Sequence, residues 1–257
     1  METDLRVGLA RNEFELYFQP IVDVATQQPR SMEALVRWRH PERGLVMPDQ
    51  FISIAEDAGL ITPLGEWILQ SACAQAAKWP ADVKVAVNIS PVQFRKASLL
   101  DVIMCALVET GLPPDRLEIE ITERVLLSSE ADNVSMLHQL KGLGISIALD
   151  DFGTGHSSLG YLKLFPFDKI KIDRSFTRDL LERTDSAAIV SAVTVLAHSL
   201  GVETVAEGVE THEQLRALRA IGLHQAQGFL FGRPVPAAEL RFGTMTATDP
   251  MLSRRSA

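Results

Sequence analysis

The sequence contains little cysteine and no long apolar run. Two cysteines, Cys73 and Cys105, occur in 257 residues, which is too few for a disulfide framework and is typical of a reducing compartment. No segment reaches the roughly 18 consecutive apolar residues that suggest a membrane span. Residues 1–13 alternate charges with leucines and lack the apolar centre of a signal peptide. We therefore expect a cytoplasmic protein without a membrane segment, in which both cysteines are small buried residues.

An excess of basic charge is also missing. The chain has 25 lysines and arginines against 33 aspartates and glutamates, which gives a formal net charge of -8. This balance argues against a DNA, RNA or membrane-surface partner. It does not exclude a small anionic ligand, because a bound metal ion reverses the local potential. The six histidines form no zinc motif, since His212 is followed at helical spacing by Arg216 and not by a second histidine.

Short apolar runs alternate with helical patterns along most of the chain. The first two predicted strands, residues 14–22 and 31–39, are separated by a polar turn that is too short for a crossover helix, so we expect an antiparallel pair. Each later strand follows a helical pattern. The predicted later strands are residues 83–89, 117–121, 146–149, 169–172, 204–206 and 226–230. The predicted helices are residues 4–12, 48–58, 64–79, 91–110, 131–143, 157–163, 186–200 and 211–221.

This alternation predicts an α/β fold. Runs such as VKVAV and SIAL are apolar throughout, which is typical of strands buried beneath helices on both faces. Eight strands with helical crossovers indicate a modified TIM (β/α)8 barrel with an antiparallel first strand, formed by residues 1–243. A doubly wound open sheet is the alternative. Residues 244–257 are polar and are predicted to be a disordered tail.

A polar or charged residue stands in or just past the end of each predicted strand. Desolvating an unpaired charge is costly, so such a series is poor packing material. One of these residues alone could be a helix cap or part of a turn. Together they indicate that the strand ends converge on a cation, at the face where such barrels carry their functional groups. The residues are Gln19, Glu33, Asn88, Glu120, Glu123, Asp150, Asp151, Lys171, Glu207 and Gln227.

Oxygen ligands dominate this set. Carboxylate and amide oxygens without cysteine or clustered histidine select Mg²⁺ or Mn²⁺ over zinc. The adjacent Asp150 and Asp151 can serve two ions, and two ions about 3.5–4 Å apart clamp the attacking and leaving oxygens of a phosphoryl displacement. Lys171 can then neutralise developing charge or orient the nucleophile. The residues therefore favour hydrolysis of a phosphodiester.

Seven motifs resemble, in order, those of the bacterial EAL-domain family. The resemblance covers residues 5–240, nearly the whole chain. A lone EAL tripeptide carries no information, whereas seven ordered motifs are highly specific. They are EALVRW from Glu33, NIS from Asn88, EIEITE from Glu118, DDFGTG from Asp150, KIDRSF from Lys171, AEGVE from Ala206 and QGFLFGRP from Gln227.

The resemblance implies hydrolysis of cyclic dimeric GMP (c-di-GMP) to linear pGpG with two Mg²⁺ or Mn²⁺ ions. The implied catalytic residues are Glu33, Asp151, Lys171 and Glu207. Lys171 would contact the nucleophilic water, and Glu207 is a second candidate base. The alternative function is a c-di-GMP receptor or scaffold with weak or no activity. Such proteins usually lose a metal ligand or the EAL glutamate, and this sequence keeps them. The implied ligands of one ion are Glu33, Asn88, Glu120 and Asp150, and those of the other are Asp150, Asp151 and Glu207.

The resemblance also implies substrate contacts. Gln19 and Gln227 correspond to glutamines that contact the nucleotide. Arg37 shares a strand face with Glu33 and would contact a phosphate, with a surface ion pair as the alternative. Phe231 is a candidate for stacking on guanine, with core packing as the alternative.

A loop and an interface complete the expectations. Glu123 is expected to stabilise the loop over residues 151–159. His156 stands in this loop where many relatives carry an aromatic residue, and we expect it to pack there. We also expect a two-fold symmetric homodimer formed by this loop, the helix over residues 157–163 and part of residues 186–200.

Overall fold

The structure is a computed structural model that describes residues 1–96, 98–126, 130–153 and 165–242. Three expectations lie outside these residues: the predicted helix over 157–163, the packing of His156 and the tail over 244–257. Within the described residues, no helix is long and apolar enough to cross a membrane.

Eight strands close into a barrel, in the order β1-β2-β4-β5-β6-β7-β8-β9 and back to β1. β1 is antiparallel to both of its neighbours in the barrel, β2 and β9, and the other neighbours run parallel. The predicted barrel and its antiparallel first strand are confirmed, and the closure excludes an open sheet. The strands are β1 (Phe14–Asp23), β2 (Pro29–His40), β3 (Gly44–Val46), β4 (Lys84–Asn88), β5 (Leu117–Thr122), β6 (Ser146–Phe152), β7 (Lys169–Ile172), β8 (Glu203–Ala206), β9 (Gln225–Gln227) and β10 (Val235–Pro236).

Two short strands were not predicted. β3 pairs with β2, and β10 pairs with β1, both in antiparallel orientation. They have three and two residues, which is too short for a periodic pattern. The predicted last strand is also too long at its carboxyl end. At Gly228 a Cβ atom would lie 2.1 Å from the carbonyl oxygen of Val209, so the backbone leaves the strand there to pack closely against the segment that follows β8.

Helices connect the parallel strands. Most agree with the predicted ranges, but the predicted helix over 91–110 is two helices. Ser90 and Gln93 form a capping box at the start of the first one. The predicted helix over 48–58 is a 3₁₀ turn, Pro48–Gln50, followed by a helix. The helices are α1 (Glu2–Ala10), α2 (Ile52–Asp57), α3 (Ile61–Ala76), α4 (Pro91–Phe94), α5 (Leu99–Thr110), α6 (Glu123–Leu126), α7 (Glu130–Gly142), α8 (Arg174–Arg178), α9 (Thr184–Ser199) and α10 (His212–Ile221).

The two cysteines differ in environment. Cys73 is buried in α3, and burial raises the pKa of its thiol to about 12. Cys105 is exposed, so the expectation that both are buried is wrong. α5 turns Ile103 and Ala106 inward, and Cys105 therefore falls on the outer face of the helix.

The main hydrophobic core lies between the barrel and its helices. Side chains alternate along each strand, so the outward positions of the barrel strands, such as Val85, Ile119 and Ile147, pack beneath the helices. The barrel interior is different. Its inward positions are mostly polar, and the buried apolar side chains that lie apart from the main core are Ile21, Ala86, Ala148 and Val205. The interior is therefore organised by hydrogen bonds and ion pairs more than by apolar packing.

Candidate active site

Lys171 lies at the centre of the carboxyl-terminal end of the barrel. Its side chain is fully buried on β7. Its Nζ lies close to a ring of carboxylates, one each from β2, β5, β6 and the residue after β8. Its distances are 2.8 Å to Glu207 Oε1, 2.9 Å to Glu120 Oε2, 3.2 Å to Asp150 Oδ1 and 3.5 Å to Glu33 Oε2.

Glu33 is held by two amides. Asn88 Nδ2 donates a hydrogen bond of 2.7 Å to Glu33 Oε1, and Gln227 Nε2 donates one of 2.6 Å to Glu33 Oε2. Gln19 lies opposite Glu33 in the β1–β2 register, and its Oε1 accepts a hydrogen bond of 3.1 Å from Gln227 Nε2. Gln19 Nε2 in turn donates to the carbonyl oxygen of Gly232 at 3.0 Å. The structure thus brings both predicted glutamines to the same carboxylate.

A second acidic group lies beside this network. Asp150, Asp151 and Glu207 each place one carboxylate oxygen within 4.8 Å of the others. Asp151 has a positive φ of 55°, which is uncommon for a residue with a side chain and is tolerated best by aspartate and asparagine. Its amide donates a hydrogen bond of 3.0 Å to Asp150 Oδ1. This local turn places consecutive carboxylates at the same end of the barrel.

Burial and mutual repulsion shift the pKa values of these acids. Burial raises the pKa of Glu207 to about 8, although Lys171 opposes the shift. Burial, with the charges of Glu33 and Asp150, holds the pKa of Glu120 well above its usual range despite Lys171. The site therefore has more carboxylates than its single lysine can neutralise, and it retains protons unless further positive charge is supplied.

Lys171 and Glu33 remain charged. Burial opposes ionisation of Glu33, but Lys171 and the hydrogen bonds from Gln227 and Asn88 outweigh it and lower the pKa of Glu33. Burial likewise disfavours the ammonium form of Lys171, but the surrounding carboxylates raise its pKa well above the usual range. Lys171 is therefore a permanent cation near neutral pH and not a proton acceptor.

These residues fit divalent metal ions. Within the described part of the chain, Glu120 Oε1 is buried without a hydrogen-bond partner, which is costly unless a ligand satisfies it. The carboxylate cluster at Asp150 supplies further oxygen donors. A donor set of carboxylates and an amide is the type that Mg²⁺ and Mn²⁺ prefer.

Glu123 lies outside the acidic cluster. It begins α6, just past the end of β5, and its Oε1 accepts a hydrogen bond of 3.2 Å from the backbone nitrogen of Gly153. This contact joins α6 to the start of the segment that follows Asp151. The position agrees with the expected contact to that segment, whose residues 154–159 lie outside the described part of the chain.

Two adjoining cavities meet at the site. The first, of about 400 Å³, is lined by Glu33, Asp150 and Glu207 together with Arg174 and Phe229. The second, of about 550 Å³, is lined by α2, α3 and α4 residues and has a mainly apolar wall. Leu35 and Asp151 line both cavities. The acidic cluster of Asp150, Asp151 and Glu207 lines the first cavity.

The structure bears on the alternatives left open for two predicted substrate contacts, Phe231 and Arg37. Phe231 is 6% exposed in the hydrophobic core, so its ring does not offer a face to a ligand. Phe229 is 38% exposed, lines the first cavity and carries the guanidinium of Arg233 4.1 Å from its ring centre. Arg37 is buried, and its guanidinium lies 5.5 Å from the ring centre of Tyr17. The alternative of a surface ion pair for Arg37 is therefore excluded.

Sequence reasoning did not identify Phe229, Arg174 or Leu35. Phe229 stands two residues before Phe231, so strand alternation alone places both rings on the same side. The chain leaves β9 at Gly228, and this turn separates the two rings. Arg174 follows Asp173, which caps α8, and that capping pattern gave no indication of a cavity.

Comparisons with known proteins identify a family and several relatives of this chain. The family model described as "EAL domain" matches residues 2–234. An uncharacterised protein of Sinorhizobium fredii is 52% identical over 93% of this chain and 29% of its own length. The bifunctional diguanylate cyclase/cyclic di-GMP phosphodiesterase MucR of Pseudomonas aeruginosa is 44% identical over 92% of this chain and 35% of its own length. The chain thus spans about a third of the curated relatives that it matches.

Solved structures show the same fold. The PaMucR phosphodiesterase in complex with c-di-GMP superposes with a TM-score of 0.90 at 44% identity, covering 93% of this chain and 98% of that one. The enzyme Bd1971, in a form with cAMP and cyclic di-GMP bound, superposes with a TM-score of 0.88 at 34% identity, covering 92% and 66%. With its closed barrel, its central lysine and a family match over nearly its whole length, the chain belongs to the EAL domain family.

Proposed function

We propose that this domain hydrolyses c-di-GMP to linear pGpG. The observation that carries the proposal is the buried Lys171 within a ring of carboxylates, three of which, Glu33, Asp150 and Glu207, line the first cavity. A cyclic dinucleotide has two bases on either side of a charged ring of phosphates. An acidic cavity that adjoins a mainly apolar one suits such a ligand. MucR, which is 44% identical to this chain over the matched region, is a bifunctional diguanylate cyclase/cyclic di-GMP phosphodiesterase.

Two Mg²⁺ or Mn²⁺ ions are part of the proposal. Glu33, Asn88, Glu120 and Asp150 would hold one ion, and Asp150, Asp151 and Glu207 would hold the other. When bound, such ions act as Lewis acids on phosphoryl oxygens and lower the pKa of water to produce a nucleophile. The unpartnered Glu120 Oε1 and the retained protons of Glu207 both support the need for added positive charge.

The protein groups have separate roles in this proposal. Lys171 is protonated in the metal-free site, and as an ammonium group it would donate a hydrogen bond to the attacking water and stabilise negative charge. Glu207 lies 2.8 Å from Lys171 Nζ and is the candidate base. With the metal ions bound its carboxyl group would be ionised, and an ionised carboxylate can accept a proton. Glu33, held by Asn88 and Gln227, is oriented before any ligand arrives.

Substrate contacts would come from Gln19, Gln227, Arg37 and Phe229, of which Gln19, Gln227 and Phe229 line the first cavity. Gln227 Oε1 is buried without a hydrogen-bond partner among the described residues and offers an acceptor near the reacting centre. Arg37 would contact a phosphate. We assign base stacking to Phe229 because its ring is exposed in the cavity and is backed by Arg233.

A turnover assay tests the function. Purified protein with Mn²⁺ or Mg²⁺ should convert c-di-GMP to pGpG, as followed by chromatography, and a chelator should abolish the conversion. Ca²⁺ should bind but support turnover poorly, because its coordination is larger and looser. Intact c-di-GMP after prolonged incubation with Mn²⁺, together with measurable c-di-GMP binding, would instead assign the domain to the receptor class.

Location and assembly complete the proposal. Because the proposed substrate is an intracellular second messenger, we place the domain in the cytoplasm.

We also propose a homodimer whose interface includes α9. The outer face of this helix is uncharged and exposed along Ala188, Ile189, Ala192, Val195 and Ser199, and such a face suits contact with a second copy.

A further inference from the structure

Two ion pairs cross the barrel interior in parallel. The upper pair joins Lys171 Nζ to Glu120 Oε2 at 2.9 Å. The lower pair joins Lys169 Nζ to Glu118 Oε2 at 2.7 Å. Both lysines belong to β7 and both glutamates to β5, two residues apart on each strand, so the pairs are separated by about 7 Å along the strands. All four side chains are at most 5% exposed.

Small residues on β6 make these crossings possible. β6 lies between β5 and β7, so each lysine must reach across it. Ala148 is the register partner of both Glu120 and Lys169, and Ser146 is the partner of Glu118. A branched side chain at residue 148 would occupy the space that the lysines cross. The ion pairs thus replace the apolar layer that usually fills the interior of such a barrel.

The two pairs differ in their other contacts. The upper lysine also lies within 3.5 Å of Glu33, Asp150 and Glu207. Within the described part of the chain, the lower lysine forms an ion pair with Glu118 and with no other acid. The lower pair is therefore neutral by itself, directly beneath a site that carries excess negative charge.

We propose that Glu118 and Lys169 are positioning residues for the hydrolysis proposed above, because their mutual neutralisation leaves Glu120 and Lys171 available to the metal site. A buried ion that loses its partner is strongly destabilised and is drawn to the nearest counter-charge. Without Glu118, Lys169 is left with Glu203, its exposed register partner on β8, and with the buried Glu120, the next carboxylate on β5. Without Lys169, the Glu118 carboxylate competes for Lys171 and repels Glu120.

This relationship predicts compensation between two substitutions. Glu118→Gln and Lys169→Met should each weaken Ca²⁺ binding by about tenfold or more, measured by calorimetry without substrate. Each should also lower kcat with Mn²⁺ by about tenfold or more. The double variant removes both charges and should return both quantities to within about threefold of wild type. A purely structural role would lower the melting temperature without this recovery.

Lys141→Met is the matched control. Lys141 pairs with Asp168 outside the barrel interior, so its loss should change the melting temperature at most and leave Ca²⁺ affinity unchanged.

Single variants that bind Ca²⁺ and turn over like wild type would overturn the proposal, as would a folded double variant that is as impaired as the single ones. If a single variant does not fold, the double variant decides: Ca²⁺ affinity within threefold of wild type supports the proposal, and a loss beyond tenfold overturns it. Absence of hydrolysis in wild type with intact Ca²⁺ binding would count against the proposed function alone.

Discussion

The amide nitrogen of Gln227 donates to both Glu33 Oε2, at 2.6 Å, and Gln19 Oε1, at 3.1 Å. Through this nitrogen the last barrel strand is bonded to the first two. The carboxylate of Glu33 is consequently fixed by strands that are far apart in sequence. Closure of the barrel therefore also orients this carboxylate.

Substitution of a proposed metal ligand should abolish turnover. Glu33→Ala and Asp150→Ala should each lower kcat by about a thousandfold or more, because each removes an oxygen donor and leaves Lys171 with one acid fewer. Steady-state kinetics with saturating Mn²⁺ measures the effect, and circular dichroism checks the fold. Glu42→Ala, at an exposed turn after β2, is the control and should behave like wild type. Near-normal rates for Glu33→Ala would show that the metal site is assigned wrongly.

Glu123→Ala should act through the segment after Asp151. The variant loses the acceptor for the Gly153 amide, so the position of Asp151 is less restricted. We expect the Mn²⁺ concentration for half-maximal rate to rise several-fold, with a smaller loss of kcat at saturating metal. Metal titrations of the variant and of the exposed control Glu66→Ala provide the measurement. An unchanged metal dependence would contradict the role given to Glu123.

The strand arrangement could largely be predicted from the sequence. The alternation of apolar runs with helical patterns predicted the barrel, and the short turn before β2 predicted that the first two strands are antiparallel. The carboxyl-terminal ends of parallel strands lie at the same end of a barrel. Asn88, Glu120, Asp150 and Lys171 could therefore be assigned to that end from the sequence alone. Gln19 could not be placed in this way, because it lies on the antiparallel strand and its position depends on register.

Other features depend on packing between distant segments. The lower ion pair was not predicted, although KIKI and LEIEI each carry two polar residues at alternate positions and so indicate two inward layers. Which lysine meets which glutamate depends on the small side chain of Ala148 on the intervening strand. Similarly, Phe229 and Phe231 are equivalent in a strand pattern, and the turn at Gly228 distinguishes them.

Phe229→Ala and Phe231→Ala should therefore have opposite effects. Loss of the exposed Phe229 ring should change stability by less than about 1 kcal/mol. It should weaken c-di-GMP binding by roughly 5- to 150-fold, the range expected for loss of base stacking at about 1–3 kcal/mol. Loss of the buried Phe231 ring should cost about 3–5 kcal/mol of stability. Urea denaturation and calorimetric titration with c-di-GMP in the presence of Ca²⁺ separate these effects. Equal binding losses at equal stability would refute the assignment.

The pH dependence of the metal-free domain should reveal Glu207. Its pKa is about 8 in the folded state, against an ordinary value of 4.5, so the folded state binds the extra proton between these values. Stability from this proton is fully present below pH 4.5 and is lost as pH rises through about 8. The free energy of unfolding of wild type relative to Glu207→Gln should therefore decline from pH 5 to pH 8 and level off above pH 9. Urea denaturation with a chelator measures it, and a pH-independent difference would disprove the shift.

The exposed face of α9 should mediate dimer formation. Val195 is 62% exposed on this uncharged face, and burying it against a second copy would remove apolar surface from water. Val195→Glu should place a charge in the interface and raise the dimer dissociation constant by at least tenfold, as measured by analytical ultracentrifugation. Val108→Glu is the control, because Val108 is 75% exposed on a different helix, α5.

If metal or c-di-GMP binding is linked to assembly, each must strengthen the other, so wild type should dimerise more tightly with both ligands present. A wild-type monomer with full activity at every concentration would exclude both the interface and the coupling.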